Sequence, residues 1–310
     1  MDDPLLSVRP YRDADLPVLQ EAMAGWIATA GRCGYDHIGE LPHRIYDNPG
    51  ATYPVEDLVQ VWQAGGRIAG VGIYLRFGAA FDVFVAPALR GGPAEEQIVE
   101  TAARATARLM RPGTRTSHVL TDVFGCDAAR IGVLERLGFQ RHRVWDDITE
   151  RELAGPVPAV VLPDGYTLRS ARHDEADRLA EVRNRSFGTA WTGAALRERV
   201  LNRPGYDPER EIVIQAPDGR LAAFTQYWTD TLNRTGHFEP VGTHRDFQRR
   251  GLARAMLLEA MARMRAEGMT LVSVNHNATN TPARALYASL GFTRRCGTLG
   301  YRRTLPPPVR

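Results

Sequence analysis

Lysine is missing from this chain. All 39 basic side chains among its 310 residues are arginine, so no internal lysine can form a Schiff base, act as a general base or acetylate itself. Cysteine is scarce as well. Cys33, Cys126 and Cys296 are widely separated and lack the paired spacing of a zinc site, which predicts ordinary reduced thiols and no metal centre. No apolar run approaches the length of a bilayer span, and the start Met1-Asp2-Asp3-Pro4 has neither the basic nor the apolar part of a signal peptide; a cytoplasmic protein with no membrane partner is expected. Surplus charge is small: a formal net charge of +3, with the arginines scattered among acids, offers no basic stripe to a nucleic acid. What remains is a globular composition, 44% hydrophobic, long enough for two domains that each bury a core.

The stretch Gly155-Pro156-Val157-Pro158-Ala159-Val160-Val161-Leu162-Pro163-Asp164-Gly165 cannot be a helix and reads as a linker. It predicts one domain over 1–150, a proline-rich connection over 151–164 and a second domain over 165–310. Both halves run in the same order. Ser7-Val8-Arg9-Pro10 before an acidic helix start at Asp13 matches Leu168-Arg169-Ser170-Ala171 before Asp174. The turns Ala64-Gly65-Gly66 and Pro217-Asp218-Gly219 each separate two strand-like runs, as in hairpins, and Leu137-Gly138-Phe139 matches Leu290-Gly291-Phe292. An internal duplication is the economical explanation.

Val241-Gly242-Thr243-His244-Arg245-Asp246-Phe247-Gln248-Arg249-Arg250-Gly251-Leu252-Ala253 breaks from a strand into a helix across a basic, glycine-containing turn. Leu252, Met256, Leu257, Ala260, Met261 and Met264 then recur at helical spacing. The unpaired amides and partial positive charge of a helix start suit a diphosphate, and Arg249 and Arg250 add full charges. A strand-like run, Leu271 to Asn275, leads to Asn280-Thr281-Pro282-Ala283-Arg284-Ala285-Leu286-Tyr287 and Ser289-Leu290-Gly291-Phe292. There Thr281 is a plausible N-cap, Pro282 a first helical residue and Gly291 a helix end. Asn280 and Tyr287 lie two turns apart on one face.

Together these two motifs, in this order, resemble the acetyl-CoA signature of the GNAT superfamily of N-acetyltransferases. The resemblance implies an α/β (α+β) protein of two tandem GNAT-like domains, each a mixed, mostly antiparallel central sheet flanked by helices. It implies acetyl-CoA as co-substrate, a small-molecule amine as the most plausible acceptor, and direct attack in a ternary complex. Composition says nothing of the oligomeric state.

The halves differ where chemistry would occur. Aligning Val83 with Val241 sets Arg90-Gly91-Gly92-Pro93-Ala94-Glu95 over Gln248 to Ala253, so that Pro93 removes an amide and Glu95 puts a negative charge where phosphate would sit. Gly91 and Gly92 leave a second register two residues away. Leu134 falls at the tyrosine position. The first half is therefore expected to be a degenerate copy kept for packing or for shaping the substrate cleft.

In the family, the pantetheine arm inserts between two splayed parallel strands. Here these would be Gly236 to Thr243, bringing the main chain of Val241, Gly242 and Thr243 to the arm, and Leu271 to Asn275. Pro240 cannot donate to a ladder and suits a bulge or a freed edge. The resemblance makes Tyr287 the general acid and Glu239 the proton abstractor, with His237 on the same strand face as Glu239. The cofactor set is Val241, Gly242, Thr243, Gln248, Arg249, Arg250, Gly251, Leu252 and Ala253, with Asn275 and Asn280 for the arm's amides, although Asn280 has the alternative of capping its helix. Phe187-Gly188-Thr189-Ala190-Trp191, Tyr227 and Trp228 could line an acceptor cleft or belong to the core. Two rival readings are a non-catalytic acyl-CoA sensor and an aminoacyl transferase of the tandem GNAT-like type.

Overall fold

A computed structural model of the protein describes residues 6–47, 53–110 and 118–304. The reading of Met1 to Pro4 lies outside these residues. The chain divides into two compact units, one from the described residues of Met1–Asp36, Gly50–Asp147 and Cys296–Arg310, the other from those of His37–Pro49 and Ile148–Arg295.

In the first unit the strands Leu6–Pro10, Val59–Ala64, Arg67–Arg76 and Ala80–Val85 pair antiparallel in turn. Ala80–Val85 then meets His118–Phe124 in one parallel step, Ala80 opposite Leu120. Residues Thr298 to Thr304, from the C-terminal strand Thr293–Thr304, cover the far side of His118–Phe124 antiparallel. Helices Asp15–Ala30, Pro93–Leu109 and Ala128–Arg136 complete it. Pro93 opens its helix where a missing N–H is tolerated, and Ile98, Val99, Ala102, Ala103 and Thr106 fall at helical spacing on the buried face.

The second unit repeats this order. Thr167–Ser170, Glu211–Gln215, Leu221–Asp230 and Thr235–Thr243 pair antiparallel, and Thr235–Thr243 runs parallel to Leu271–Asn277. Beyond lies the end of the strand Gln140–Glu152, where the Thr149 hydroxyl donates to the Val274 carbonyl. Ile212, Ile214, Phe238, Val272 and Val274 form one core with Leu252, Met256, Ala260, Met261 and Met264 of the helix Leu252–Ala266. Burying each such side chain contributes roughly 1.5–3 kcal/mol. Residues 153–166 form neither helix nor strand, and Val157, Val160, Leu162 and Tyr166 pack on this core.

Both units are thus mixed, mostly antiparallel sheets with flanking helices, as expected. The duplication extends to single ion pairs. Arg9 holds Asp15 with two hydrogen bonds of 2.7 and 2.8 Å, and Arg169 holds Glu175 with two of 2.8 Å. The backbone amides of Arg12 and Arg172 donate to the same carboxylates. These acids, and not Asp13 and Asp174, organise the two helix starts. Both expected hairpins form, with Gly65, Gly66 and Gly219 in the left-handed region their turns require.

The cysteine expectation is corrected. Cys33 and Cys126 form a disulfide within the first unit, and Cys296 takes no part in a disulfide. The loop after Asp15–Ala30 and the loop after His118–Phe124 bring together two residues 93 apart in the chain, a proximity no sequence spacing announces. Among the described residues no helix is long and apolar enough to cross a membrane.

Candidate active site

The site begins where two strands part. Thr235–Thr243 and Leu271–Asn277 are paired from Thr235 opposite Leu271 only as far as Phe238 opposite Val274. On its other edge the register of Thr235–Thr243 shifts between Phe238 and Val241, so Pro240 sits in the expected irregularity. Glu239, Val241, Gly242 and Thr243 therefore lie past the last parallel pair. Gly242 is packed so closely against the Phe224 ring that a Cβ there would overlap it.

A short 3₁₀ turn, Arg245–Phe247, leads from this strand to the helix Leu252–Ala266. Gln248 is exposed, and its amide donates to the Thr243 carbonyl at 3.4 Å. Arg249 and Gly251 take left-handed φ values of 65° and 77°, a cost of about 1–2 kcal/mol at the non-glycine position. Gly251 caps the helix with no side chain, and nothing lies within 4 Å of where its Cβ would be. Leu252 turns into the core, while Ala253 stays at the half-buried edge. Arg250 is engaged with the Tyr166 hydroxyl at 2.8 Å and the Asp246 carbonyl at 3.3 Å, whereas Arg249 is exposed.

The helix Thr281–Ser289 is capped by Asn280, whose Oδ1 accepts from the Ala283 amide at 3.1 Å. Of the two caps the sequence offers, Thr281 and Asn280, it is the second that forms. Asparagine takes that place because its side-chain carbonyl reaches the amide three residues on. Gly291, at φ 82°, follows the helix end as expected. Tyr287 lies on the buried face, with its ring 5.5 Å from His276 and 5.8 Å from Phe292. Burial, and then the Glu239 carboxylate, push the Tyr287 phenol well above its ordinary range.

Glu239 forms part of a polar network that the sequence reading did not anticipate. The helix Glu40–Tyr46, from the first half of the sequence, belongs to the second unit and brings Glu40, His43 and Arg44, with Asp47 just after it. Nε2 of His43 is 3.1 Å from Oε1 of Glu239, and its Nδ1 is 3.5 Å from Asp47. Arg183 bridges Asp47 at 2.8 Å and Glu211 at 3.1 Å, with its guanidinium over Phe224. Buried His237 bonds Glu40 at 2.9 Å and Ser273 at 2.8 Å and stacks on His37. Asn275 donates to Glu40 at 3.0 Å, and Arg44 pairs with Glu40 at 3.1 Å.

Burial pushes the Glu40 carboxyl up, but Arg44, His237 and His43 outweigh it and hold it well below the usual range. Burial also pushes Asp47 up, and His43 with Arg183 hold it at about 2. For His43, burial lowers the pKa, while Glu239, Asp47 and Glu40 bring it above its usual value. Burial raises Glu239, with His43 opposing and Glu40 and Asp47 adding repulsion. Glu40, His237 and Glu239 place donor atoms within 4.8 Å of one another, and Arg44, Asn275, Ser273 and His43 engage them in an ion-pair and hydrogen-bond network.

Beside this network lies a pocket lined by His43, Asp47, Arg183, Tyr206, Trp228 and Glu239 among others. Of the aromatic residues singled out earlier, Trp228 is at the pocket, its Nε1 donating to the Glu239 carbonyl at 2.9 Å. Trp191 and Tyr227 are core, and Phe187 is half exposed against Phe224. One signal for the missing residues was present: Glu40/Arg44 and His43/Asp47 are two i,i+4 pairs on one short helix.

Residues 176–292 match the Acetyltransferase (GNAT) family. The chain is 34% identical over 179 residues to a mycothiol acetyltransferase of Thermomonospora curvata, covering 55% of this chain and 58% of that protein. It is 30% identical over 214 residues to the mycothiol acetyltransferase of Salinispora arenicola, covering 65% and 68%. In fold it is similar to a tandem GNAT protein from the clavulanic acid biosynthesis pathway, with a TM-score of 0.68, 18% identity and coverage of 98% of this chain and 100% of that one. It is also similar to a GCN5-related N-acetyltransferase from Sphaerobacter thermophilus, with a TM-score of 0.63, 20% identity and coverage of 98% and 97%. The chain belongs to the GNAT family of N-acetyltransferases, enzymes whose acyl donor is acetyl-CoA.

Proposed function

We propose that the second unit transfers acetyl from acetyl-CoA to a primary amine by direct attack in a ternary complex. The main chain of Val241, Gly242 and Thr243 bonds the pantetheine arm. The turn Gln248 to Ala253 receives the diphosphate on its amides, with Arg249 and Arg250 supplying charge. Asn275, whose Nδ2 is held by Glu40, keeps its Oδ1 for an amide of the arm, and Asn280, whose Oδ1 caps a helix, keeps its Nδ2. Glu239 draws a proton from the amine, and Tyr287 gives one to sulfur as the C–S bond breaks. The carrying observation is that the parallel ladder ends at Phe238, with Glu239 beside that opening and Tyr287 within reach of its charge. A phenol raised in pKa stays protonated at neutral pH and is ready as a donor.

Residues 1–150, apart from the segment carrying Glu40, His43 and Asp47, act in this reading as a degenerate copy, joined through 151–164 to the catalytic domain, 165–310, which that segment completes. A concave pocket lined by Asp47 and Glu239 suits a small amine better than a protein or a nucleic acid. Because the curated relatives carry the name mycothiol acetyltransferase, the amine precursor of a thiol-sugar heads the acceptors, in the cytoplasm. The test is release of CoA thiol from acetyl-CoA with amino sugars, amino acid amides, a polyamine and a thiol-sugar amine, together with melting in acetyl-CoA. Turnover with a small amine is expected. Stabilisation without turnover would favour a sensor, and neither would favour the aminoacyl-transferase reading.

A further inference from the structure

We propose that His43, held between Glu239 and Asp47, is the proton relay of the acceptor pocket: it takes from Glu239 the proton drawn from the acceptor ammonium, with Asp47 as its positioning residue. The proposal rests on the reading of Glu239 as the proton abstractor.

The geometry is a carboxylate–imidazole–carboxylate line. Nε2 of His43 is 3.1 Å from Glu239 and Nδ1 is 3.5 Å from Asp47, which Arg183 anchors at 2.8 Å. Asp47 stays ionised and attracts the Nδ1 proton, so in the neutral ring Nε2 presents its lone pair to Glu239. All three side chains line the pocket.

Charge balance explains why such a relay is useful. Glu40, Asp47, Glu211 and Glu239 face Arg44 and Arg183, with Arg199 acting on Asp47 through space, so that among these groups the carboxylates outnumber the guanidiniums by one. His237 and Tyr206, bonded to Glu40 and Glu211, and Tyr287, within reach of the Glu239 charge, are further titratable groups around them. One positive charge, a protonated His43 or a docked ammonium, completes that balance. In the empty pocket the proton resides on His43; a docked ammonium displaces it to solvent, and the neutral ring can then accept the ammonium's own proton through Glu239. The free amine nitrogen forms its bond to the thioester carbonyl carbon, and the C–S bond breaks. Sulfur takes the Tyr287 proton, and the second nitrogen proton restores Tyr287. The proton now on His43 stays there as the product departs and restores the empty pocket, so each cycle releases one proton overall, the one displaced when the ammonium docked.

The experiment measures kcat and KM against pH for the wild type, Glu239→Gln, His43→Gln and His43→Ala, using the panel amine that releases CoA fastest. His43→Gln is expected to lower kcat about 100-fold with KM changed by less than about threefold, and imidazole to restore His43→Ala by about tenfold. The wild-type acid limb of kcat/KM should lie above the ordinary histidine range and disappear in His43→Gln. A change confined to KM, an unchanged acid limb, or no imidazole rescue in a protein still stabilised by acetyl-CoA would overturn the relay. If Glu239→Gln keeps wild-type kcat, the underlying reading fails whatever His43 does. Should the His43 variants not fold, the ring carbon shifts of His43 are followed by NMR in the wild type and Glu239→Gln. A pKa lowered in the variant supports the relay pair, and an unchanged one overturns it.

Discussion

The two strand-to-helix turns, around Gly91 in one unit and Gly251 in the other, hold matching places in the element order and opposite contents. In the first unit the fully buried Glu95 carboxylate accepts from the Gly91 amide and from Arg130 at 2.5 Å, and Arg130 in turn donates to the Val83 carbonyl at 3.1 Å. The Tyr35 hydroxyl takes the Val85 carbonyl at 2.8 Å. The Gly91 amide and the Val83 and Val85 carbonyls are thus bonded by the chain itself. In the second unit the first helical turn contains no acid, and the space at Gly251 is open. The lesson is that an anion site can be closed from within by one internal carboxylate and a matching arginine, while strand, turn and helix remain.

The sharpest way to break this comparison is to remove the plug. Glu95→Ala leaves Arg130 buried without its partner and should destabilise the first unit by about 3–5 kcal/mol in calorimetry. A loss below about 1 kcal/mol would mean that Glu95 does not hold that turn. Next, Gly251→Glu should remove the acetyl-CoA stabilisation, about 2.7 kcal/mol at roughly a hundred times Kd, and Gly92→Glu should leave it intact. Equal losses in thermal melts would make the first unit a binder as well.

Smaller effects sharpen the comparison. Tyr287→Phe should lower kcat by about tenfold to a hundredfold with acetyl-CoA affinity retained, whereas Leu134→Ala, at the matching position, should affect melting and not the cofactor step. The smallest effects concern the repeated clamps. Hydrogen bonds from Arg9 lower the Asp15 pKa; for Glu175, burial raises it but Arg169 prevails and lowers it. Both stabilise the fold above the unfolded carboxyl pKa, and the contribution is lost as pH falls through the lowered folded value. Glu175→Gln should cost about 2 kcal/mol and the more exposed Asp15→Asn about 1 kcal/mol at neutral pH, with both differences fading in acid melts.

Much of this was legible in the order of residues. Gln248 to Ala253, the helix carrying Tyr287, both hairpins and the closed character of Arg90 to Glu95 depend on local spacing, on glycine at left-handed positions and on charge beside a helix start. The Cys33–Cys126 disulfide and the contribution of Glu40, His43 and Asp47 to the pocket were not legible. His43 and Glu239 stand 196 positions apart in the numbering, and nothing local to either announces the other.

By itself the sequence determined the duplication, the strand-turn-helix with its exposed amides and the tyrosine two turns beyond Asn280, because these are properties of neighbouring residues and of helical and strand periods. Tertiary structure decided which segments complete each unit and what surrounds Glu239. A charge in a low-dielectric pocket takes its behaviour from the ions packed against it, and those were assembled from distant parts of the chain.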